Sequence, residues 1–163
     1  MKVKKINLSP DKPVSPLNKG RSHNSVVLVG GCFDILHLGH ITFLKKAKNL
    51  GEKLVVLLES DQNIQKNKGN NRPINNQENR AKILESLRMV DQVVKLPEMK
   101  TDQDYLKIIK KIKPTIIAVT QNDHNLINKE NQAKLVGAKL VEVTELIPHQ
   151  STSRIIEIIT ENP

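Results

Sequence analysis

Residues 30–40 read G-G-C-F-D-I-L-H-L-G-H, directly after the apolar run Val26-Val27-Leu28-Val29. Two histidines three apart, with Gly39 between them, suit a phosphate site where a buried strand gives way to a helix. A helix opening near Gly39 or His40 leaves its first N–H groups without intrahelical acceptors and places the positive end of its dipole there. Gly39 lets an anion approach the backbone where a Cβ would obstruct it, and His37 and His40 can donate hydrogen bonds from one side. A metal site is the chemical rival, because histidine is the commonest metal ligand. Structural zinc patterns need Cys pairs or a second His/Cys cluster, and Cys32 is the only cysteine. No residue is therefore assigned to a metal.

Three further stretches could handle anions, and each has a plain structural alternative. Glu59–Gly69 reads E-S-D-Q-N-I-Q-K-N-K-G, a stretch expected to be a mobile loop. In it Lys66 and Lys68 could close over a polyphosphate, or be ordinary loop lysines. Arg80 and Arg88 are eight apart on an expected helix and so fall on a similar face. Their guanidinium groups could bind phosphate oxygens bidentately, or pair with Glu78, Glu85 or Asp91. Ser151-Thr152-Ser153-Arg154 precedes the apolar-periodic Ile155-Ile156-Glu157-Ile158-Ile159. Those hydroxyls suit a helix cap and suit a phosphate equally well.

The elements that must position these residues alternate along the chain. Strands are expected at Val26–Val29, Leu54–Leu58, Gln92–Val94, Thr115–Val119 and Leu140–Val143. Helical patterns lie between them at about 40–50, 77–89, 102–113 and 129–136, with a last one at 153–160. Gly51 suits the end of the first helix and Asn76 the start of the second. The alternation implies an α/β fold: a Rossmann-like, doubly wound parallel five-stranded sheet with helices on both faces. Ligands of such folds sit beyond the carboxyl ends of the strands, at the switch in strand order. The loops holding His37/His40, Asp61–Lys68 and Thr120–His124 are then the places for chemistry.

Length and composition bound the rest. The 163 residues suit one domain, at 25–163, preceded by a Pro- and Lys-rich stretch at 1–24 expected to be a flexible basic tail. A single cysteine fits a reducing cytoplasm. No apolar stretch is long enough to span a membrane, and Met1–Lys5 is not followed by a signal-like apolar run, so a cytoplasmic chain with no membrane partner is expected. The net charge of +9 favours anionic partners, while aromatics at 2% leave almost no stacking surface for single-stranded nucleic acid. Small phosphorylated ligands are expected, and nucleic acid is not.

G-C-F-D-I-L-H-L-G-H followed by F-L-K-K-A-K-N-L-G closely resembles the cytidylyltransferase-like nucleotidyltransferases, whose signature is H-x-G-H. The similarity runs from about Val26 to Ile159. G-C-F-D and K-G-x-x-R-P-I-N look most like the adenylyltransferase domain that makes ADP-heptose. The lysine loop and R-x-x-x-L-x-x-x-R spacing are also similar to glycerol-3-phosphate cytidylyltransferase.

The resemblance implies transfer of a nucleotidyl group, foremost adenylyl from ATP, to a small phosphorylated acceptor such as a sugar 1-phosphate, with release of pyrophosphate. His37 and His40 would stabilise charge on the α-phosphate, and Lys66 would neutralise phosphate charge. Gly31, Cys32, Phe33, Gly39, Lys68, Arg88, Asp123, Ser151, Thr152 and Ser153 would bind the nucleotide. Asp34, Asp61 and Arg80 would bind the acceptor. Mg²⁺ would come bound mainly through the nucleotide phosphates, and a homodimer is common among similar proteins.

One segment departs from that family. Thr120-Gln121-Asn122-Asp123-His124 stands where relatives carry K-G-G-D or M-G-D-D, and Pro148-His149-Gln150 lacks a glycine found before the hydroxyl segment. Nucleotide choice is the property these changes touch. Cytidylyl transfer to a phospho-alcohol and FAD synthesis are the rival reactions. A nucleotide-binding regulatory protein without turnover is the rival of a different class.

Overall fold

The computed structural model describes residues 25–121, 123–144 and 151–161. The expected tail at 1–24 and Pro148-His149-Gln150 lie outside the described residues. In chain order the elements are β1 (Val26–Gly31), α1 (Leu38–Lys48), β2 (Lys53–Leu58), α2 (Asp61–Lys68), α3 (Gln77–Glu85), β3 (Gln92–Lys95), α4 (Asp102–Ile112), β4 (Ile116–Thr120), α5 (Leu126–Val136), β5 (Lys139–Thr144) and α6 (Thr152–Glu161).

The strand pattern follows from period-two alternation on a sheet covered on both sides. Val27, Val29, Leu54, Val56 and Leu58 face Phe43, Leu44 and Ala47 of α1 and Leu84 of α3. Leu28, Val55, Leu57 and Ile117 face Ile109 of α4 and Ala133 of α5. All five strands are parallel in the order β3-β2-β1-β4-β5. The doubly wound sheet expected from the alternation is therefore present. The order turns between β1 and β4, which opens a crevice at their carboxyl ends. Among the described residues no helix is long and apolar enough to cross a membrane.

Three local expectations are corrected. The stretch read as a mobile lysine loop is helix α2. Its start is capped by Ser60, whose hydroxyl accepts the Asn63 N–H at 3.2 Å, and Asp61 complements the dipole in the first turn. Its one apolar residue, Ile64, is fully buried. Helix α3 ends at Glu85 instead of continuing to 89. Asn76 does cap its start, accepting the Asn79 N–H at 2.9 Å. Gly51 does not end α1, whose C-cap is Asn49. It is instead a point of close approach, where an added Cβ would lie 2.7 Å from Val27 Cγ2 and 3.0 Å from the Ser25 carbonyl.

Candidate active site

The loop between β1 and α1 carries the two histidines, and its backbone is constrained from within. Phe33 has φ +44°, a left-handed conformation uncommon for a bulky residue, costing about 1–3 kcal/mol. Burial of its ring holds it there. A Cβ on Gly31 would come within 2.9 Å of that ring, so glycine lets the strand end and the ring share the same space. His37 is the N-cap of α1 and no side chain caps that end.

His37 and His40 lie one turn apart and stack, with ring centroids 3.9 Å apart and planes at 31°. Phe33 packs against His40 at 5.2 Å. Burial, then the charges of His37 and Lys68, push the His40 imidazole down to about 4, against a weaker opposing pull from the Ile35 backbone. Burial lowers His37 as well. The pair is therefore neutral at pH 7 and offers hydrogen bonds instead of a fixed charge. The Nδ1 atom of each ring is enclosed and has no hydrogen-bond partner among the described residues.

Beside this loop a cavity of about 630 Å³ opens at the carboxyl ends of β1 and β4. Gly31 and Cys32 form one wall, Lys68 and Asn67 at the end of α2 another, and Asp123, Asn125 and Asn128 a third. Burial pushes the Cys32 thiol up, against Lys68 and the nearby arginines. Asp123 accepts the Lys129 ammonium at 2.7 Å and the Asn125 N–H at 2.9 Å.

Lys68 is the lysine placed at the site. Lys66, two residues back on α2, points away and pairs with Glu98. The expected catalytic role of Lys66 is not met by this arrangement, because two residues of helix turn the side chain by about 200°.

The charged residues expected to touch an acceptor are instead occupied by the scaffold. Arg80 is fully buried. Its guanidinium donates to the carbonyls of Asn75 (2.9 Å), Cys32 (2.5 Å) and Glu59 (2.9 Å) and to Asp61 Oδ1 (2.6 Å). Asp61 also accepts the Gln77 N–H at 3.1 Å. Asp34, 2% exposed, accepts Arg72 Nε at 2.7 Å and the N–H groups of Ile74 and Asn75 at 2.9 and 3.0 Å. Burial raises the Asp34 carboxyl, but the Asn75 and Ile74 N–H groups and the Arg72 guanidinium outweigh it and hold it below the usual range. These two knots fix the site's loops to each other.

Arg88 is not brought to the site. Because α3 ends at Glu85, Arg88 lies in the following turn rather than on a face shared with Arg80. Asp91, three residues later, binds the Leu54 N–H at 2.6 Å at the amino end of β2, opposite to the histidines. At the other end of the chain, Thr152 is buried and its hydroxyl donates to the Ile35 carbonyl at 3.2 Å, tying the start of α6 to the histidine loop. Ser151 caps that helix, accepting the Arg154 N–H at 3.1 Å, while Ser153 is exposed. The capping reading of this segment is thus met, at a helix start tied to Ile35 of the histidine loop.

The family model described as cytidylyltransferase-like matches residues 28–158. The chain belongs to the cytidylyltransferase-like family. Among curated relatives, it is 43% identical over 142 residues to the FAD synthase of Pyrococcus abyssi, covering 83% of this chain and 92% of that protein. It is 40% identical over 145 residues to the bifunctional protein HldE of Helicobacter hepaticus, covering 88% of this chain but 28% of that protein. The chain thus spans under a third of the length of this HldE relative. Among solved structures, the lipopolysaccharide core biosynthesis protein of Thermoplasma volcanium superposes with a TM-score of 0.59 at 29% identity, over 76% of this chain and 96% of that one. The chain is an enzyme of the nucleotidyltransferase type.

For a nucleotidyltransferase, the site also contains groups that motif reading missed. Glu59, Tyr105 and Asn128 line the cavity, and Arg72 holds Asp34. Among the described residues no group of three or more His, Cys, Asp or Glu is assembled.

Proposed function

We propose that this nucleotidyltransferase moves an adenylyl group from ATP to a small phosphorylated acceptor of the sugar 1-phosphate kind. An acceptor phosphate oxygen attacks the α-phosphorus, the bond to the β-phosphate bridging oxygen breaks, and its electron pair leaves with pyrophosphate. No general base is required, since the attacking oxygen is already anionic. His37 and His40 hydrogen-bond the α-phosphate oxygens as negative charge gathers there, and the N–H groups at the start of α1 face the same charge. Lys68 neutralises phosphate charge between the histidines and the cavity. The Ser151–Ser153 segment faces the β- and γ-phosphates. Mg²⁺ would be carried on the phosphate oxygens and would neutralise the leaving pyrophosphate.

The observation that carries this reading is the neutral, stacked His37–His40 pair beside Lys68, which itself lines a cavity at the strand-order switch. Adenine is favoured by K-G-x-x-R-P-I-N at 68–75 and by the FAD synthase relative, whose product contains an adenylyl group. That relative also supports a second reading, in which FMN is the acceptor. Against it, Tyr105 is the one Phe, Tyr or Trp among the described residues lining the cavity, with His124 the one imidazole, and the Tyr105 hydroxyl is bound to Glu59. A flavin ring would have little to stack on. We place the reaction in the cytoplasm, where ATP and sugar phosphates are found together.

The test is pyrophosphate release with Mg²⁺, crossing ATP and CTP against heptose 1-phosphate, other sugar 1-phosphates, glycerol 3-phosphate, phosphocholine and FMN. The account expects release with ATP and a sugar 1-phosphate. Release with FMN alone would move the assignment to FAD synthesis, and nucleotide binding without any release would favour a regulatory binder.

A further inference from the structure

The carboxyl end of β2 adjoins the cavity through Leu57, and the first residue after that strand, Glu59, lines it too. Its carboxylate is held on one side by protein donors. Oε2 accepts the Tyr105 hydroxyl at 2.8 Å, while Oε1 accepts Asn63 Nδ2 at 3.0 Å and the Ser60 N–H at 3.3 Å. Asn63 is itself buried and anchored, donating to the Met99 carbonyl at 3.1 Å. Burial and the Glu59 carboxylate both push the Tyr105 phenol up, so it remains a donor across the physiological range. A carboxylate offers about four acceptor positions. The three protein donors use part of that capacity, and Glu59 remains half-buried on the cavity lining.

The other acidic groups on the lining are differently committed. Asp123 is engaged by Lys129 and the Asn125 N–H, and Asp102 accepts Asn128 Nδ2 at 3.2 Å. The remaining polar wall is mostly amide, Asn67, Asn125, Asn128 and Gln132, with Thr120, His124 and the paired Lys129 beside them. Amides and a pre-oriented carboxylate match hydroxyl groups, which both donate and accept. They match an alkylammonium poorly, because that ion prefers an aromatic enclosure and would share this cavity with Lys68.

We propose that Glu59 is the acceptor-recognising residue of this enzyme, taking hydrogen bonds from hydroxyls of a polyhydroxylated phosphate ester whose phosphate lies beside Lys68. Tyr105 and Asn63 are positioning residues that act through it. The inference rests on the sugar-phosphate reading of the nucleotidyl transfer and adds the group that recognises the acceptor's hydroxyls.

The experiment measures pyrophosphate release by the full chain with ATP and Mg²⁺, using heptose 1-phosphate and mannose 1-phosphate as probes and phosphoethanolamine as the cationic control. Wild type, E59Q, E59A and Y105F are compared, each checked for an unchanged melting temperature. Calorimetry of the same probes on protein loaded with a non-hydrolysable ATP analogue supplies affinities independent of turnover. Loss of a hydrogen bond to a charged group is expected to raise the acceptor KM in E59Q about ten- to a hundred-fold, with ATP KM within about two-fold of wild type. Y105F is expected to give a smaller rise in the same constant. Turnover of a sugar phosphate by wild type, with acceptor KM and affinity unchanged in E59Q, overturns the inference while the nucleotidyl-transfer reading stands. A preference for phosphoethanolamine that E59Q abolishes overturns the hydroxyl assignment. Neither binding nor turnover of any probe by wild type overturns the inference together with its sugar-phosphate premise.

Discussion

Two regions at the carboxyl edge of the sheet are both rich in charge and use it differently. In the knot formed by Asp34, Arg72, Asp61 and Arg80, the carboxylates and guanidiniums bind each other and the loop backbone. In the cavity beside it, Glu59 remains half-buried on the lining. The first region spends its charges on geometry, whereas the second pairs Asp123 with Lys129 but leaves Lys68 without an ion pair among the described residues. A charged residue inside a recognisable motif is thus not thereby a ligand-binding residue. What separates the two classes is how many of its donors the scaffold has already used.

The largest effect should come from breaking the knot. Arg80→Ala leaves the Asp61 carboxylate and three carbonyls without their donor at a fully buried position. A loss of about 3–5 kcal/mol in urea or thermal unfolding is expected. A variant no less stable than wild type would show that the knot contributes nothing.

The pH dependence of stability probes the site side. His40 titrates near 4 in the fold against an ordinary 6.5. The unfolded chain therefore holds more protons between those values, and stability falls as pH drops through that window, by about 3 kcal/mol in all. His37 contributes in the same direction. Asp34, held down in the fold, adds a further loss only below the ordinary carboxylate range. Urea titrations from pH 7 to 4 should show this slope, and H40A should flatten it; a slope that is the same in H40A would place the proton elsewhere.

A smaller effect sharpens the contrast within one helix. Lys68→Ala should lower kcat/KM by about ten-fold or more, consistent with loss of one charged contact to phosphate. Lys66→Ala should change it by less than about two-fold, because its exposed pair with Glu98 contributes little. Equal losses would mean that α2 moves on binding and brings both lysines in.

Much of the scaffold was legible in the sequence, because apolar runs buried on two faces and helices buried on one leave different periodicities. Val26–Val29 and Leu54–Leu58 needed nothing beyond composition, and Asn76 could be read as a cap from its position alone. Helix α2 escaped because Asp61–Lys68 contains one apolar residue, Ile64, and so has no stripe to detect. The signal that was present was Ser60 followed by Asp61, a cap and a dipole-matched first turn. Arg88 was misplaced for the opposite reason: Leu87, Met89 and Val90 continue the apolar pattern of α3 after the helix has ended, packing against the core from a turn.

The histidine pair was legible as a motif, but its stacking and depressed titration come from Phe33 and burial, which no spacing reveals. The cavity's place at the strand-order switch was legible, but much of its lining was not. Glu59, Tyr105 and Asn128 come from three separate segments and meet only because α4 and α5 cover the same face of the sheet. Their roles could not be assigned one residue at a time.

The contrast between scaffold charge and reactive site is tested most directly by one set of rates. Pyrophosphate release at saturating ATP and acceptor would be measured for wild type, H37A, H40A and R80K, each normalised to its folded fraction. The account predicts that kcat falls by about a hundred-fold or more in each histidine variant, in the range seen when one oxyanion donor is removed. It predicts that R80K retains most of its kcat per folded molecule. Histidine variants that keep wild-type turnover, or an R80K variant that folds fully and loses it, would contradict the assignment of chemistry to the stacked pair and of Arg80 to the scaffold.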